Sequence, residues 1–292
     1  PSWFSEMLPL SFDLANEIGK FRRLMNEKFC AGRSKEEIIK FILDYLYVDE
    51  KAANAIYEYF YEQYRFAEIP SNTRIIVEHT KDNRGNVVVF HTLYGRRVND
   101  CLSRAVAFAI SRTFHKDVEI GINDNGFYVR SDSKLDVMKA FRRLKSNELR
   151  KVMEFAIEKT EVMKRRFRHC ASRALMILRS YKGKQRRVGR QQVGSMILMS
   201  ALKRIDPDFS ILKEAKREVL EDLMDIENTK LVLEGIEQGK IKLEEIHTDM
   251  PSPFAFNLII QGYVDILKME ERIEFLRRMH QNVLAKIGLK NK

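Results

Sequence analysis

The chain has 292 residues and a formal net charge of +11; 45% of its residues are hydrophobic and 32% are charged. The apolar content excludes an intrinsically disordered chain, because such chains lack the side chains that build a core. The 13 glycines and 6 prolines exclude a collagen-like protein or a linker. Three widely separated cysteines do not resemble a secreted disulfide scaffold, so we expect a reducing, cytoplasmic location. No run approaches the ~18 apolar residues of a membrane span, so we expect no membrane partner.

The first 134 residues predict three helices followed by a small sheet. Helical spacing of apolar residues covers 10–29, a capping box at Ser34 opens a second helix to about 47, and Asp49 opens a third through 64. From residue 74 the hydrophobic period changes to two. Turn sequences at 82–86 and 123–126 predict two hairpins on either side of a helix over 98–114. The order β-β-α-β-β predicts a mostly antiparallel sheet with a helix on one face.

After residue 134 the pattern is helical again. Helices are predicted over 135–144, 146–159, 161–181, 191–204 and 210–224, with a short extended segment over 241–246. The predicted fold is therefore α+β, a mainly helical assembly with a small mostly antiparallel β-sheet inserted in it. We divide it into N-terminal helices (1–70), a sheet module (71–134) and a C-terminal helical module (135–292) that carries a basic helix and loop over 161–190.

The excess charge is concentrated in one block. Residues 162–205 hold thirteen Lys and Arg, nine of them Arg, and no Asp or Glu; removing them from +11 leaves −2 for all other residues. On the predicted helix over 161–181 the basic side chains form a stripe opposite an apolar arc, and a loop with two glycines follows over 182–190. Arg suits bidentate phosphate binding. The pattern predicts contact with the phosphates of DNA or RNA through Arg165, Arg168, Arg173, Arg179, Lys182, Lys184, Arg186, Arg187 and Arg190.

A second interpretation gives the same block a protein partner. Residues 206–249 reverse the sign of the charge, with thirteen acids against six bases. The basic block could pair with this segment or with another acidic protein, which would make the chain an interaction or assembly module. Aromatic residues over 57–64 have the spacing of a helix core more than of a base-stacking surface. Trp3, isolated near the start, is a candidate for stacking on a base or for contact between domains.

Familiar catalytic motifs are missing from the sequence. There is no GxxxxGK[ST] loop and no DExH box, so we expect no nucleotide hydrolysis by this segment and no cofactor in it. No cluster of Cys and His supports a zinc site, and His79 with His91 lacks a third ligand. A third hypothesis, an enzyme with its site around the turn at 123–126, has the least support because no activated nucleophile is visible.

Five segments together resemble a known family. They are PSWFSE at 1–6, YGRRVN at 94–99, NDNGF at 123–127, RFRHCASR at 166–173 and PSPFA at 251–255. They are similar to the accessory domain that follows the motor in large helicase-related proteins of superfamily 2, the DEAD/H-associated domain. The resemblance runs through the whole chain, although Ser5 stands where that family's opening has Gly. Since the sequence begins with Pro1 and not with Met, we also expect a longer parent protein.

The resemblance implies a function through that parent. The parent would be an ATP-dependent 3′-to-5′ helicase that uses ATP and Mg²⁺ in motor domains outside this segment. Its substrates would be single-stranded DNA or RNA and RNA–DNA hybrids, and the motor domains would be partners of this segment. On that picture the basic helix and loop, together with Arg96 and Arg97, hold phosphates of the strand that leaves the motor. Those residue assignments come from the placement of charge.

Overall fold

A computed structural model describes residues 8–82, 84–178, 180–185, 187–261 and 269–289. The helices are α1 Phe12–Cys30, α2 Lys35–Tyr45, α3 Glu50–Phe66, α4 Arg96–Phe114, α5 Val137–Phe141, α6 Leu149–Ile157, α7 Glu161–Arg173, α8 Val188–Ile205, α9 Ser210–Arg217, α10 Ile226–Glu237, α11 Phe256–Gln261 and α12 Met269–Leu289. The strands are β1 Arg74–Asp82, β2 Gly85–His91, β3 Glu119–Asn123, β4 Gly126–Ser131, β5 Ser180–Tyr181, β6 Lys184–Gln185 and β7 Lys242–His247. The α+β class predicted from the sequence is confirmed.

The second and third N-terminal helices begin at the predicted caps. Ser34 and Glu37 form both bonds of the capping box that opens α2, and the Asp49 side chain caps α3. Two aromatic residues of the predicted run pack inward: Tyr57 and Phe60 are buried, and the ring of Phe60 stands edge-on to that of Phe21 in α1, whereas Tyr59 is exposed. The prediction that this aromatic run belongs mainly to the core is confirmed for these two residues.

The sheet has five strands in the order β3-β4-β2-β1-β7. Both predicted hairpins form, and neighbouring strands are antiparallel except for β7, which pairs parallel to β1 with Arg74 opposite Lys242. The fifth strand therefore comes from the segment that we assigned to the C-terminal module. One face of the sheet packs on α4 through Phe90 and Phe127, whose rings stack at 4.5 Å, and α11 covers part of the other face.

The segment after β7 is attached to the sheet by a buried carboxylate. Glu78 of β1 is fully buried, with 0% of its surface exposed. Its oxygens accept hydrogen bonds from the Thr248 hydroxyl (2.9 Å), from the Ser252 backbone N–H (2.7 Å) and from the Ser252 hydroxyl (2.6 Å), and Oε2 lies 2.8 Å from Nε2 of His91. Three hydrogen bonds therefore connect the middle of the sheet to residues 248–252, and the fourth contact joins β1 to β2.

The C-terminal helices differ from the predicted ones mainly in where they end. The helix expected over 161–181 ends at Arg173, because Leu175 adopts a left-handed conformation (φ 57°) that an α-helix does not continue through. A short hairpin of β5 and β6 follows. The helix expected over 210–224 changes at Glu218 into a π-helix that ends at Leu223.

Among the described residues, no helix is both long enough and apolar enough to span a bilayer.

Candidate nucleic-acid interface

Helix α7 carries the first part of the basic block. The Thr160 side chain caps its start, and Met163, Phe167 and Cys170 lie buried along its inner side. This matches the apolar arc expected from the sequence as far as the helix extends. Arg165 is exposed and Arg168 half-buried on the outer side. The helix therefore presents two of the predicted phosphate-binding arginines to solvent, three residues apart on neighbouring positions of one face.

The basic stripe does not continue along the same helix. Because α7 ends at Arg173, Lys182 lies instead in the hairpin turn, where it has φ 49° and Gly183 has φ 73°. Gly183 takes the turn conformation expected of a loop glycine, whereas Gly189 lies in the first turn of α8. Lys184, Arg187 and Arg190 are exposed on the hairpin and at the start of α8. Of the predicted residues, Trp3, Arg179 and Arg186 lie outside the described residues.

A cleft of about 450 Å³ lies between α7 and α8. Its α7 wall holds Arg165 and Arg168 next to an ion pair of Lys164 with Glu161, whose Nζ and Oε1 are 2.5 Å apart. Its α8 wall holds Gln192, Ser195 and Met196. Sequence reasoning did not select any of these α8 residues, since neither charge nor a motif marks them.

Two arginines of the block, the predicted Arg173 and its neighbour Arg166, are neutralised within the fold, and the predicted Arg97 is bound by backbone carbonyls. The buried carboxylate of Glu218 contacts both Arg173 and Arg166, the latter at 3.5 Å from Nη1 to Oε2. The hydrogen bond to Glu218 raises the pKa of Arg173 above its ordinary value. Arg97 donates to the backbone carbonyls of Glu221 (2.6 Å) and Met224 (3.3 Å). These contacts hold the π-helix against α7 and α4, whereas Arg96 at the start of α4 is exposed.

Other basic side chains of the block have no such acidic neighbour. Within the part of the chain that the structure describes, no Asp or Glu lies within ion-pair distance of the basic set, which we define as Arg165, Arg168, Lys184, Arg187 and Arg190. Like charges without counter-charges repel one another in the folded chain. The basic set is thus a group of positive charges that no Asp or Glu of the described residues neutralises.

The turn at 123–126 has a structural role that accounts for its polar residues. One oxygen of Asp124 accepts hydrogen bonds from the backbone N–H of Leu10 (3.1 Å) and of Arg96 (2.9 Å). The Asn99 amide donates to the carbonyls of Asn123 (2.9 Å) and Asp124 (3.2 Å). Two of the segments that carry the family resemblance, 94–99 and 123–127, therefore meet here and fasten the start of α4 to the sheet.

Asp124→Ala is expected to lower the free energy of unfolding by about 1–2 kcal/mol, because it removes the acceptor that caps α4 and holds Leu10. Asp124→Asn is the matched control, since its Oδ1 can accept both hydrogen bonds. We expect it to cost only a few tenths of a kcal/mol. Urea unfolding of the two variants measures the difference. A carboxylate with a catalytic role would instead make both variants equally defective in activity, with unfolding energies that do not separate them.

The buried cysteines are protonated, and His79 and His91 do not come together. All three cysteines are unbridged, burial raises the pKa of Cys101 to about 12, and burial likewise raises that of Cys170. Both buried thiols are therefore kept in the protonated form, which is a poor nucleophile. His79 stacks on His247 at 4.6 Å, away from His91. Within the described ranges there is no group of three or more His, Cys, Asp or Glu that could hold a metal ion.

Comparison with known proteins relates this geometry to a family of larger proteins. Residues 69–255 match the model of the family described as DEAD/H associated. An ATP-dependent helicase Lhr-Core of Methanothermobacter thermautotrophicus is 55% identical over 288 residues, which cover 98% of this chain and 33% of that protein. The ATP-dependent helicase Lhr-Core of Saccharolobus solfataricus is 40% identical, with 97% of this chain and 33% of that protein covered.

A solved structure shares the fold. The Mycobacterium smegmatis helicase Lhr, bound to ssDNA and AMP-PNP, aligns with a TM-score of 0.73 and 25% identity. The alignment covers 88% of this chain and 32% of that one. The chain thus spans about a third of the length of each of these three proteins.

Proposed function

Because this chain belongs to the DEAD/H associated family, we propose that it is the accessory domain of an ATP-dependent helicase and binds single-stranded nucleic acid along the cleft between α7 and α8. The observation that carries the proposal is the basic set, of which Arg165 and Arg168 line that cleft and the other three residues lie on the hairpin and at the start of α8. Arg173 and Arg166 of the same block are compensated by Glu218, but the basic set has no acidic partner within the described residues. Phosphates of a nucleic-acid strand would supply the missing negative charge.

The proposal extends to the parent protein. Helicase relatives cover this chain almost end to end and continue for about twice its length beyond it. ATP and Mg²⁺ would be bound there, by motor domains that this chain contacts, since its own sequence holds no phosphate-binding loop. Translocation in the 3′-to-5′ direction and the use of RNA–DNA hybrids follow from the family resemblance. The basic set contacts phosphates, which DNA and RNA share, so it binds single strands of either nucleic acid.

The test is fluorescence anisotropy of the purified chain with a labelled single-stranded oligonucleotide between ~50 and 200 mM salt. Each phosphate neutralised on a single strand adds about −0.7 to the slope of log affinity against log salt. Replacing Arg165, Arg168, Arg187 and Arg190 together with Ala should therefore reduce the steepness of that slope by roughly 3. Affinity should also fall, and most strongly at low salt, because the lost contribution is electrostatic.

Arg173→Ala is the control within the same block. Glu218 already neutralises Arg173, so this variant should show the same salt dependence of binding as the unsubstituted chain. Its free energy of unfolding should decrease. Two results would contradict the proposal: no binding of the oligonucleotide even at ~50 mM salt, or a slope that the fourfold substitution leaves unchanged. If the substitution of all four arginines and Arg173→Ala changed the salt slope equally, the basic set would not differ from the other arginines of the block in its contact with the strand.

The assembly module remains the second candidate, and one observation favours it. Arg166 and Arg173 do pair with Glu218, which lies in the acidic segment 206–249. Part of the basic block therefore acts as an internal brace, as that hypothesis expects. These two ion pairs leave the basic set without an acidic partner among the described residues, which is why we rank nucleic-acid binding first. Salt-dependent stability without binding of any oligonucleotide would reverse this order.

A further inference from the structure

Helix α8 exposes more apolar surface than its packing explains. Its buried side chains are Ser195, Met199 and Leu202. On its outer side Val193 is 58% exposed, Met196 47% and Ile197 66%. An amphipathic helix normally turns such residues toward a core. Single exposed apolar residues are ordinary, but three on adjoining positions of one helix make a patch that marks a contact surface.

The patch borders the same cleft as the basic set. Helix α8 runs back along α7: Lys203 near its end reaches Glu158 just before α7 (3.1 Å), and Gln192 in its first half lines the cleft together with Arg168. Met196 lines the cleft directly. Val193 and Ile197 each follow a cleft-lining residue by one position and therefore lie about 100° further around the helix, on its outer edge. The cleft thus has a basic wall on α7 and an apolar rim on α8.

We infer that the apolar rim of α8, formed by Val193, Met196 and Ile197, contacts the bases of a single strand whose phosphates lie on Arg165 and Arg168. The inference rests on the proposed function and adds to it a base-contacting surface. A single strand is anionic along its backbone and apolar on the faces of its bases, so it complements both walls of the cleft at once. Every base has such a face, so a contact of this kind tolerates any sequence.

The two walls of the cleft can be tested separately, because their contacts depend differently on salt. Contacts to phosphates depend steeply on salt, because they release counterions. Contacts between apolar side chains and bases release no counterions and leave the salt slope unchanged. Replacing the apolar rim should therefore lower affinity by the same factor at every salt concentration, whereas replacing arginines changes the slope.

The experiment compares two probes of equal length, an oligothymidylate and an abasic oligonucleotide with the same number of phosphates. The unsubstituted chain should bind the oligothymidylate about tenfold more tightly than the abasic oligonucleotide, as expected for covering part of the apolar surface of one or two bases. Val193→Ser with Met196→Ser and Ile197→Ser should abolish this preference and leave the salt slope unchanged. Ile205→Ser, at the far end of α8 and 81% exposed, is the control that should preserve the preference.

The possible failures are distinct. If the parent chain binds both probes equally with a steep salt slope, or if the triple variant keeps the preference, the base-contacting rim is wrong and the proposed function stands. If neither probe binds, the proposed function fails and the inference with it. If the chain self-associates in sedimentation velocity and the triple variant is monomeric with an unaltered preference, the rim is an interface between copies. Thermal unfolding of the triple variant should match the parent chain, because the substituted side chains are exposed.

Discussion

Glu78→Ala is expected to lower the free energy of unfolding by about 3–5 kcal/mol, the largest effect of any single polar substitution that we predict. The carboxylate is buried, and its removal leaves His91 and Ser252 with buried polar groups that have no acceptor. Each buried group left without a partner costs about 1–3 kcal/mol, and the vacated volume adds to the cost. Urea unfolding followed by circular dichroism measures the loss.

Glu78→Gln separates the charge from the hydrogen bonds. Its Oε1 can still accept from Thr248 and from the Ser252 backbone, so we expect a smaller loss of about 1–2 kcal/mol. If Glu78→Ala and Glu78→Gln cost the same, the loss would come from the charge alone and the network of four contacts would not be the source of stability. A loss below about 1 kcal/mol for Glu78→Ala would show that residues 248–252 are not held by this carboxylate.

The pH dependence of stability gives the same network a second test. Burial pushes the pKa of Glu78 upward, but the hydrogen bond and charge of His91 and the hydrogen bonds of Ser252 outweigh it, so the net direction is below the ordinary value of 4.5. A carboxyl with a lowered pKa in the folded state stabilises the fold above its unfolded pKa, and this contribution is lost as the pH falls through the lowered value. The difference in unfolding energy between the parent chain and Glu78→Gln should therefore shrink below a pH of about 4.5. A difference that stays constant with pH would mean that folding does not shift the pKa of Glu78, and a difference that shrinks as the pH rises above about 4.5 would mean that the buried carboxyl stays protonated.

Local patterns in the sequence were enough to predict most elements of the fold. The capping box at Ser34, the cap at Asp49 and both hairpins form as predicted, because each depends on residues that are close together in the chain. The extended segment near 241–246 was also predicted. Its pairing with β1 was not, since a parallel pairing across about 170 residues leaves no local signal.

The limit of local reasoning is clearest at the end of α7. Ala174 and Leu178 continue the apolar spacing of the helix, so periodicity predicts that the helix extends to 181. The structure ends it at Arg173 through the left-handed backbone of Leu175. Apolar spacing predicts which face of a helix is buried. It does not predict that a single residue with unusual backbone angles ends the helix.

The candidate site was predicted as a region and not as a geometry. The basic block was visible in the sequence, and the structure does place Arg165, Arg168, Arg187 and Arg190 near one cleft or at its adjoining helix start. The sequence could not show which arginines are already neutralised. That depends on Glu218, which lies 45 residues beyond Arg173 in the chain and is brought to it by the packing of α7 against α9 and the π-helix.

Gly95→Ala is the second substitution for which we expect a large effect, a loss of about 3 kcal/mol or more in unfolding energy. Gly95 precedes α4 with φ 84°, and a Cβ at this position would lie 2.3 Å from the carbonyl oxygen of Leu10. The positive φ alone costs an L-residue about 1–2 kcal/mol. The contact with Leu10 adds to this cost, because Asp124 holds both Leu10 and the start of α4 in place and neither backbone can move away without breaking a hydrogen bond.

Gly32→Ala is the control that isolates the contact. Gly32 has φ 66°, yet a Cβ there would meet nothing within 4 Å, so this variant should lose only the ~1 kcal/mol of the backbone conformation. Parallel urea titrations measure both losses. Equal losses would mean that the segment before α1 moves aside freely and that Asp124 does not hold it. A much larger loss for Gly95→Ala would instead show that residue 95 must be glycine because the backbone at Leu10 crosses directly over the start of α4, the helix that carries Arg96 and Arg97.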